Sequence, residues 1–201
     1  MKSTLNEIMS FNDSFVKFKQ YEPYITSKFP DKKIVILTCM DTRLVELLPK
    51  AMNMRNGDVK IVKSAGAQVS HPFGAIMRSL LVAVYELKAD EVYVIGHHDC
   101  GMSSIDPELM IKHMIERGVN EDIINTVKYS GFDLNDWLRG FGDVSTSVLK
   151  SVDIIRNHPL MPKATPVHGL IMDPSTGKLD LLSDGNEYLE DNEITTSSSN
   201  E

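Results

Sequence analysis

Two cysteines occur in the 201 residues, and each stands at the end of an apolar, β-branched run. Cys39 closes "IVILTC" and is followed by "MDTR"; Cys100 lies in "GHHDCGM", directly after "EVYVI". Although 61 residues apart, they hold equivalent places, each just past the carboxyl end of an expected strand. His97 and Cys100 have H-x-x-C spacing, so one turn can offer an imidazole and a thiolate to the same ion. With Cys39 they make three soft or borderline ligands, a set that suits zinc. Three protein ligands leave a fourth tetrahedral position open, as in catalytic zinc sites. Buried structural thiols are the commonest fate of cysteine, a reading weakened here by the polar, charged residues that follow each one. A redox pair finds no C-x-x-C to support it. From these residues alone, structural thiols and a zinc site both stay open.

Asp41 and Arg43 lie two and four residues beyond Cys39. On an extended segment, positions 39, 41 and 43 share one face. One reading is a surface ion pair worth little. The other is a carboxylate beside the metal, oriented by a guanidinium fork. That carboxylate either takes the fourth metal position itself or accepts a hydrogen bond from a water there. His98, spaced H-x-C from Cys100, is expected to pack or hydrogen-bond nearby. Asp99 is expected to cap the following turn or to hold an arginine. His71 reads as a helix-start residue, and His113, His158 and His168 have no assigned role.

These side chains can meet only if the elements beneath them bring strand ends together. "KIVILTC", "VKIVKS" and "EVYVIG" read as strands, the first and third as runs buried on both faces. Between them lie helical patterns, "LVELLPKAMNM" and a stretch opening at Pro72 and running to about Lys88. The βαβαβ order implies a parallel sheet with right-handed crossovers. Sites in such sheets form at the carboxyl ends of strands, where Cys39, Gly66 and His97 all fall. Further helices are expected at 107–117, 120–129, 133–140 and 143–157, and "VHGLIMD" and "KLDLLS" around "PSTG" read as a hairpin. The expected fold is therefore α/β: a mostly parallel central sheet flanked by helices, with a C-terminal edge hairpin. Residues 1–28 form an N-terminal helical arm, 29–183 a single α/β domain, and 184–201 an acidic tail expected to lack fixed structure.

The net charge of −7 is concentrated at that tail. From Asp184 onward there are acidic residues and no basic one, leaving 22 acids against 21 bases in the body. No basic stripe exists to follow a phosphate backbone, so nucleic acid is not an expected partner. No apolar run approaches the roughly 20 residues of a membrane helix. The N-terminal stretch has no apolar signal core, and a cytoplasmic location is expected.

"CMDTR" followed by "HHDCG" resembles the β-class carbonic anhydrases, whose motifs are C-x-D-x-R and H-x-x-C. The resemblance covers most of residues 30–105. It implies that Cys39, His97 and Cys100 are zinc ligands, and that Asp41 and Arg43 form a catalytic dyad, with Asp41 also able to bind the metal. "SAGA" at 64–67 resembles the family's "NAGG", whose backbone lines the site. Ser64, Ala65 and Gly66 are thereby implied to line the substrate pocket, with Ser64 and Ala67 replacing the more usual Asn and Gly. The implied activity is reversible hydration of carbon dioxide to bicarbonate and a proton by a zinc-bound hydroxide. Because Asp41 and hydroxide would compete for one position, activity is expected to be low near pH 7 and to rise above roughly pH 8. The implied assembly is a homodimer or higher even oligomer, with the arm packed on a partner subunit. A hydrolase of carbonyl sulfide or carbon disulfide would use the same ligands, and a non-catalytic zinc protein would keep Asp41 on the metal. A cysteine phosphatase fails on spacing, since the three residues between Cys39 and Arg43 cannot cradle a phosphate.

Overall fold

The computed structural model describes residues 3–198. Its core is a five-stranded sheet of β1 (Ile34–Cys39), β2 (Val59–Ser64), β3 (Glu91–His97), β4 (Val167–Met172) and β5 (Leu179–Ser183), in the order β2-β1-β3-β4-β5. The first four strands are parallel and β5 returns antiparallel as the edge hairpin. Five of the six β1 residues are buried. Continuous apolar runs of this kind form strands because helices cover both faces of a parallel sheet.

The helices are α1 (Thr4–Lys17), α2 (Leu44–Ala51), α3 (Ala75–Tyr85), α4 (Pro107–Glu116), α5 (Glu121–Tyr129), α6 (Leu134–Leu138), α7 (Val144–Arg156) and α8 (Gly185–Ser198). On one face, Met77, Leu80 and Ala83 of α3 and Val148, Val152 and Ile155 of α7 pack on Val35, Leu37, Val92, Val94, Val167 and Ile171. On the other, Leu44 and Leu48 of α2 pack on Ile36, Ile95 and Met172, together with Cys39 and Cys100. Ile111, Ile124, Leu134 and Leu138 make a small separate cluster joining α4, α5 and α6. None of the helices among the described residues is long and apolar enough to cross a membrane.

Several boundaries differ from the sequence reading, each for a local reason. The helix expected to open at Pro72 begins at Ala75. His71 Nδ1 accepts from the Phe73 N–H, and the His71 carbonyl accepts from the Gly74 N–H, so 71–74 close into a turn first. Helix α2 stops at Ala51, ahead of Asn53 in the left-handed region at φ 51°. The expected helix at 133–140 shortens to Leu134–Leu138.

Helix α1 forms from Ser3, whose hydroxyl caps the Asn6 N–H, yet it buries no residue. The arm's first two residues, 1 and 2, lie outside the described residues. At the other end, the chain expected to lack structure from Asp184 instead turns into α8. The Asp184 carboxylate accepts from the Asn186 N–H, the Gly185 N–H donates to His168 Nδ1, and the Arg156 guanidinium lies 4.3 Å over the Tyr188 ring. Contacts with the buried β4 histidine and with α7 anchor the start of this segment despite its acidic composition. Residues 199–201 of the tail lie outside the described residues.

Candidate metal centre

Strand order brings the motif residues together. β1 lies between β2 and β3, and Cys39 is level with Ser64 across the β1–β2 pair. The chain leaves β1 toward β2 and then crosses back to β3, which makes the adjacent carboxyl ends of β1 and β3 a topological switch point. Cys39 ends one of these strands and His97 the other, and Cys100 follows three residues later.

The three candidate ligand atoms of Cys39, His97 and Cys100 lie within 4.8 Å of one another, and all three residues are buried. The two sulfurs are 3.9 Å apart. His97 Nδ1 donates to the His98 carbonyl at 2.8 Å, which leaves the Nε2 lone pair as the ring's ligand atom. Nε2 is buried with no hydrogen-bond partner among the described residues. A buried polar atom without a partner is costly, and this one belongs to a group of two thiols and an imidazole whose chemistry can hold a cation. These residues fit zinc: two thiolates and one neutral imidazole with its orientation set by a backbone carbonyl.

The site's electrostatics point the same way. Burial pushes the Cys39 thiol up, but His97 and the backbone N–H groups of Asp41 and Gly66 outweigh it and bring it down to about 7. Burial pushes Cys100 up to about 11, assisted by the neighbouring Cys39 sulfur and opposed by the Met102 N–H. Two thiolates this close cannot both ionise cheaply without a positive charge between them. Burial alone would lower His97, yet the Cys39 sulfur and the His98 carbonyl raise it.

Asp41 and Arg43 are not on an extended segment. The chain turns after Met40, and Arg43 is in helical conformation at the start of α2. Asp41 Oδ1 accepts from the Arg43 N–H at 2.9 Å, which closes the turn. The guanidinium then grips the same carboxylate from Nε at 3.0 Å and Nη2 at 2.9 Å. Arg43 also donates to the Asp99 carboxylate and to the Asp99 carbonyl, both at 2.9 Å. Asp99 is thus the residue that holds the arginine, and its left-handed φ of 52° turns it back toward Arg43. The Arg43 guanidinium holds the Asp41 carboxyl down at about 2. Asp41 Oδ2 lies 3.8 Å from His97 Nε2, beside the three-ligand cluster with its oxygens engaged by Arg43.

Ser64 ends β2, and Ala65 and Gly66 continue into a short 3-10 turn, Ala65–Ala67. The Ser64 hydroxyl donates to the Gln68 carbonyl and so braces the turn. His98 is exposed, with its backbone N–H on the Met172 carbonyl. Met102 and Phe141 are among the partly buried residues that pack on the cluster containing the cysteines. The signal that marks Phe141 in the sequence is its flanking by Gly140 and Gly142.

A sequence profile described as carbonic anhydrase matches residues 34–179. The Bacillus subtilis (strain 168) protein named "Putative carbonic anhydrase YtiB" is 63% identical over 183 residues, covering 91% of this chain and 98% of that one. A "Carbon disulfide hydrolase" of Saccharolobus solfataricus is 28% identical over 161 residues, covering 74% of this chain and 76% of its own. Among solved structures, β-carbonic anhydrase isoform I of Trichomonas vaginalis superposes with a TM-score of 0.82 at 34% identity, covering 92% of this chain and all of that one.

Proposed function

This chain belongs to the β-class carbonic anhydrase family, and from that premise we propose that it catalyses the reversible hydration of carbon dioxide to bicarbonate and a proton. The observation that carries the reading is the convergence of the Cys39, His97 and Cys100 donor atoms around a buried, unpartnered His97 Nε2, beside a carboxylate locked to an arginine. Cys39, His97 and Cys100 would hold zinc. When bound, zinc acidifies water and so supplies a hydroxide nucleophile near neutral pH.

The chain's own groups set up the rest. The His98 carbonyl fixes the His97 ring, so its free nitrogen is preorganised. Asp41, kept ionised by Arg43, accepts a hydrogen bond from the attacking water and orients it toward the substrate carbon. Arg43 is itself braced by Asp99, so the carboxylate is held to one side of the ligand cluster. Met102 and Phe141 pack beside the cysteines, and apolar side chains there suit a small, uncharged substrate.

The bidentate grip of Arg43 on Asp41 favours an open, catalytic site over a closed one with the carboxylate on the metal. The relatives named carbon disulfide hydrolase motivate a second reading, in which the substrate is carbon disulfide or carbonyl sulfide. Carbon dioxide is favoured because the relative at 63% identity is named for carbonic anhydrase. For assembly we propose a homodimer or higher even oligomer, supported by the uncovered apolar side chains of α1. Two free, buried thiols suit a reducing cytoplasm.

Zinc content measured with stopped-flow carbon dioxide hydration tests the reading. The expected result is close to one zinc per chain and turnover that disappears when the metal is chelated. Turnover of carbon disulfide without turnover of carbon dioxide would transfer the reading to the second substrate class. A zinc-loaded protein inert toward all three would leave a binding protein.

A further inference from the structure

Phe141 belongs to neither motif, yet it touches the turn that sits against one ligand. Gly66 and Ala67 are consecutive left-handed residues, at φ 69° and 57°. A Cβ added to Gly66 would lie 2.5 Å from Phe141 Cε1 and 3.2 Å from both Cβ and Cγ of Met102. The phenyl ring and the Met102 side chain therefore fill the space above this turn. The Phe141 N–H donates to the Met102 carbonyl at 3.1 Å. Gly140 has to be glycine, because a Cβ there would strike that same carbonyl. The loop before α7 is in this way fastened to the turn that begins at Cys100. Both Met102 and Phe141 pack on the cluster holding Cys39 and Cys100. The backbone N–H groups of Gly66 and Met102 act on the Cys39 and Cys100 sulfurs respectively, and Phe141 meets both residues, Gly66 through its ring and Met102 through its own N–H.

We propose that Phe141 is a positioning residue for the metal centre: its ring holds the Gly66 turn and Met102 against the cysteine sulfurs and keeps water away from them. The proposal deepens the carbonic anhydrase reading and rests on Cys39, His97 and Cys100 being the ligands. Sulfur that accepts hydrogen bonds from fixed amides donates less charge to a metal and keeps its orientation. Groups that orient metal ligands from outside typically control affinity by about 10- to 100-fold. Truncating the ring leaves a void over a turn with two left-handed residues, which can then relax and admit water.

The test uses the full chain in its zinc and cobalt forms, with zinc affinity read by competition against a chelator and cobalt by its sulfur-to-metal charge-transfer band. Phe141→Ala should raise the zinc Kd by about 10-fold and shift the cobalt band, with Phe141→Leu intermediate at roughly threefold. Leu80→Ala, buried on the opposite face of the sheet, should lower stability and leave the cobalt band unchanged. That control separates positioning from a general loss of packing. If Phe141→Ala does not fold, the Leu variant carries the test alone. Zinc affinity and cobalt spectra equal to the parent protein in a folded Phe141 variant would overturn the proposal and leave the enzymatic reading intact. Absence of zinc binding by the parent protein would sink both. Zinc binding and a Phe141 effect without carbon dioxide hydration would uphold the proposal and sink the activity.

Discussion

His97 takes its orientation from the backbone, through the carbonyl of the next residue. On the proposed ligand set the His98 side chain is expected to be dispensable for metal binding, although its sequence position beside His97 invites the opposite guess. Cys39→Ser, His97→Ala and Cys100→Ser should each lose most of the zinc, while His98→Ala keeps it; metal analysis of the purified variants checks this. A His98→Ala protein without zinc, beside a His97→Ala protein that keeps it, would overturn the ligand assignment. Asp41 has a different dependence. Its carboxyl is depressed from 3.8 to about 2 by Arg43. Its stabilising contribution is therefore fully present above the ordinary value and is lost only as the pH falls toward about 2. From pH 6 to 9 it is a full carboxylate, so a changing rate in that window cannot report its protonation. Carbon dioxide hydration should rise from pH 7 to above about pH 8, following the ionisation of the attacking water. Asp41→Asn should retain zinc and lose about 100-fold in kcat, because Arg43 loses its partner and the water its acceptor. A flat rate from pH 6.5 to 9 would count against this account.

At the scale of elements, β3 and α7 approach closely one residue before His97. Gly96 of β3, next to His97, would place a Cβ 2.6 Å and 3.0 Å from methyl groups of Val148 and Val144. Gly96→Ala should push α7 off the sheet and cost about 1–3 kcal/mol. At about 2–4 °C per kcal/mol for a chain of this size, thermal unfolding should drop by several degrees. An unchanged melting temperature would mean that α7 shifts freely. The strands were legible because apolar, β-branched runs bounded by breakers leave few alternatives. The helix boundaries were less so. The turn at 71–74 depends on an imidazole accepting from a backbone N–H two residues on, which composition does not announce.

At the scale of the whole molecule, α1 is unfinished. It buries nothing, and Leu5, Ile8, Met9, Phe11 and Val16 are each more than half exposed. Apolar exposure of this extent along one helix marks an interaction surface, and a second copy is the occupant proposed here. Deleting residues 1–25 should yield monomer or aggregate on size-exclusion chromatography with light scattering. A well-behaved dimer of full activity after that deletion would remove the arm from the assembly.

The sequence by itself determined the order of strands and helices along the chain and the placement of both motifs at strand ends. Those features are local: a spacing of three between His97 and Cys100, or a run such as Ile34–Cys39, carries its meaning wherever the chain goes. Only the tertiary structure decided that Arg43 is shared between Asp41 and Asp99, and that Phe141 covers Gly66. Each of these joins segments whose approach depends on the sheet order β2-β1-β3-β4 and on how the loops beyond it fold back. The start of the acidic tail followed the same rule. Its charge argued for disorder, and the buried His168 and the face of Arg156, both far earlier in the chain, gave it a place to dock.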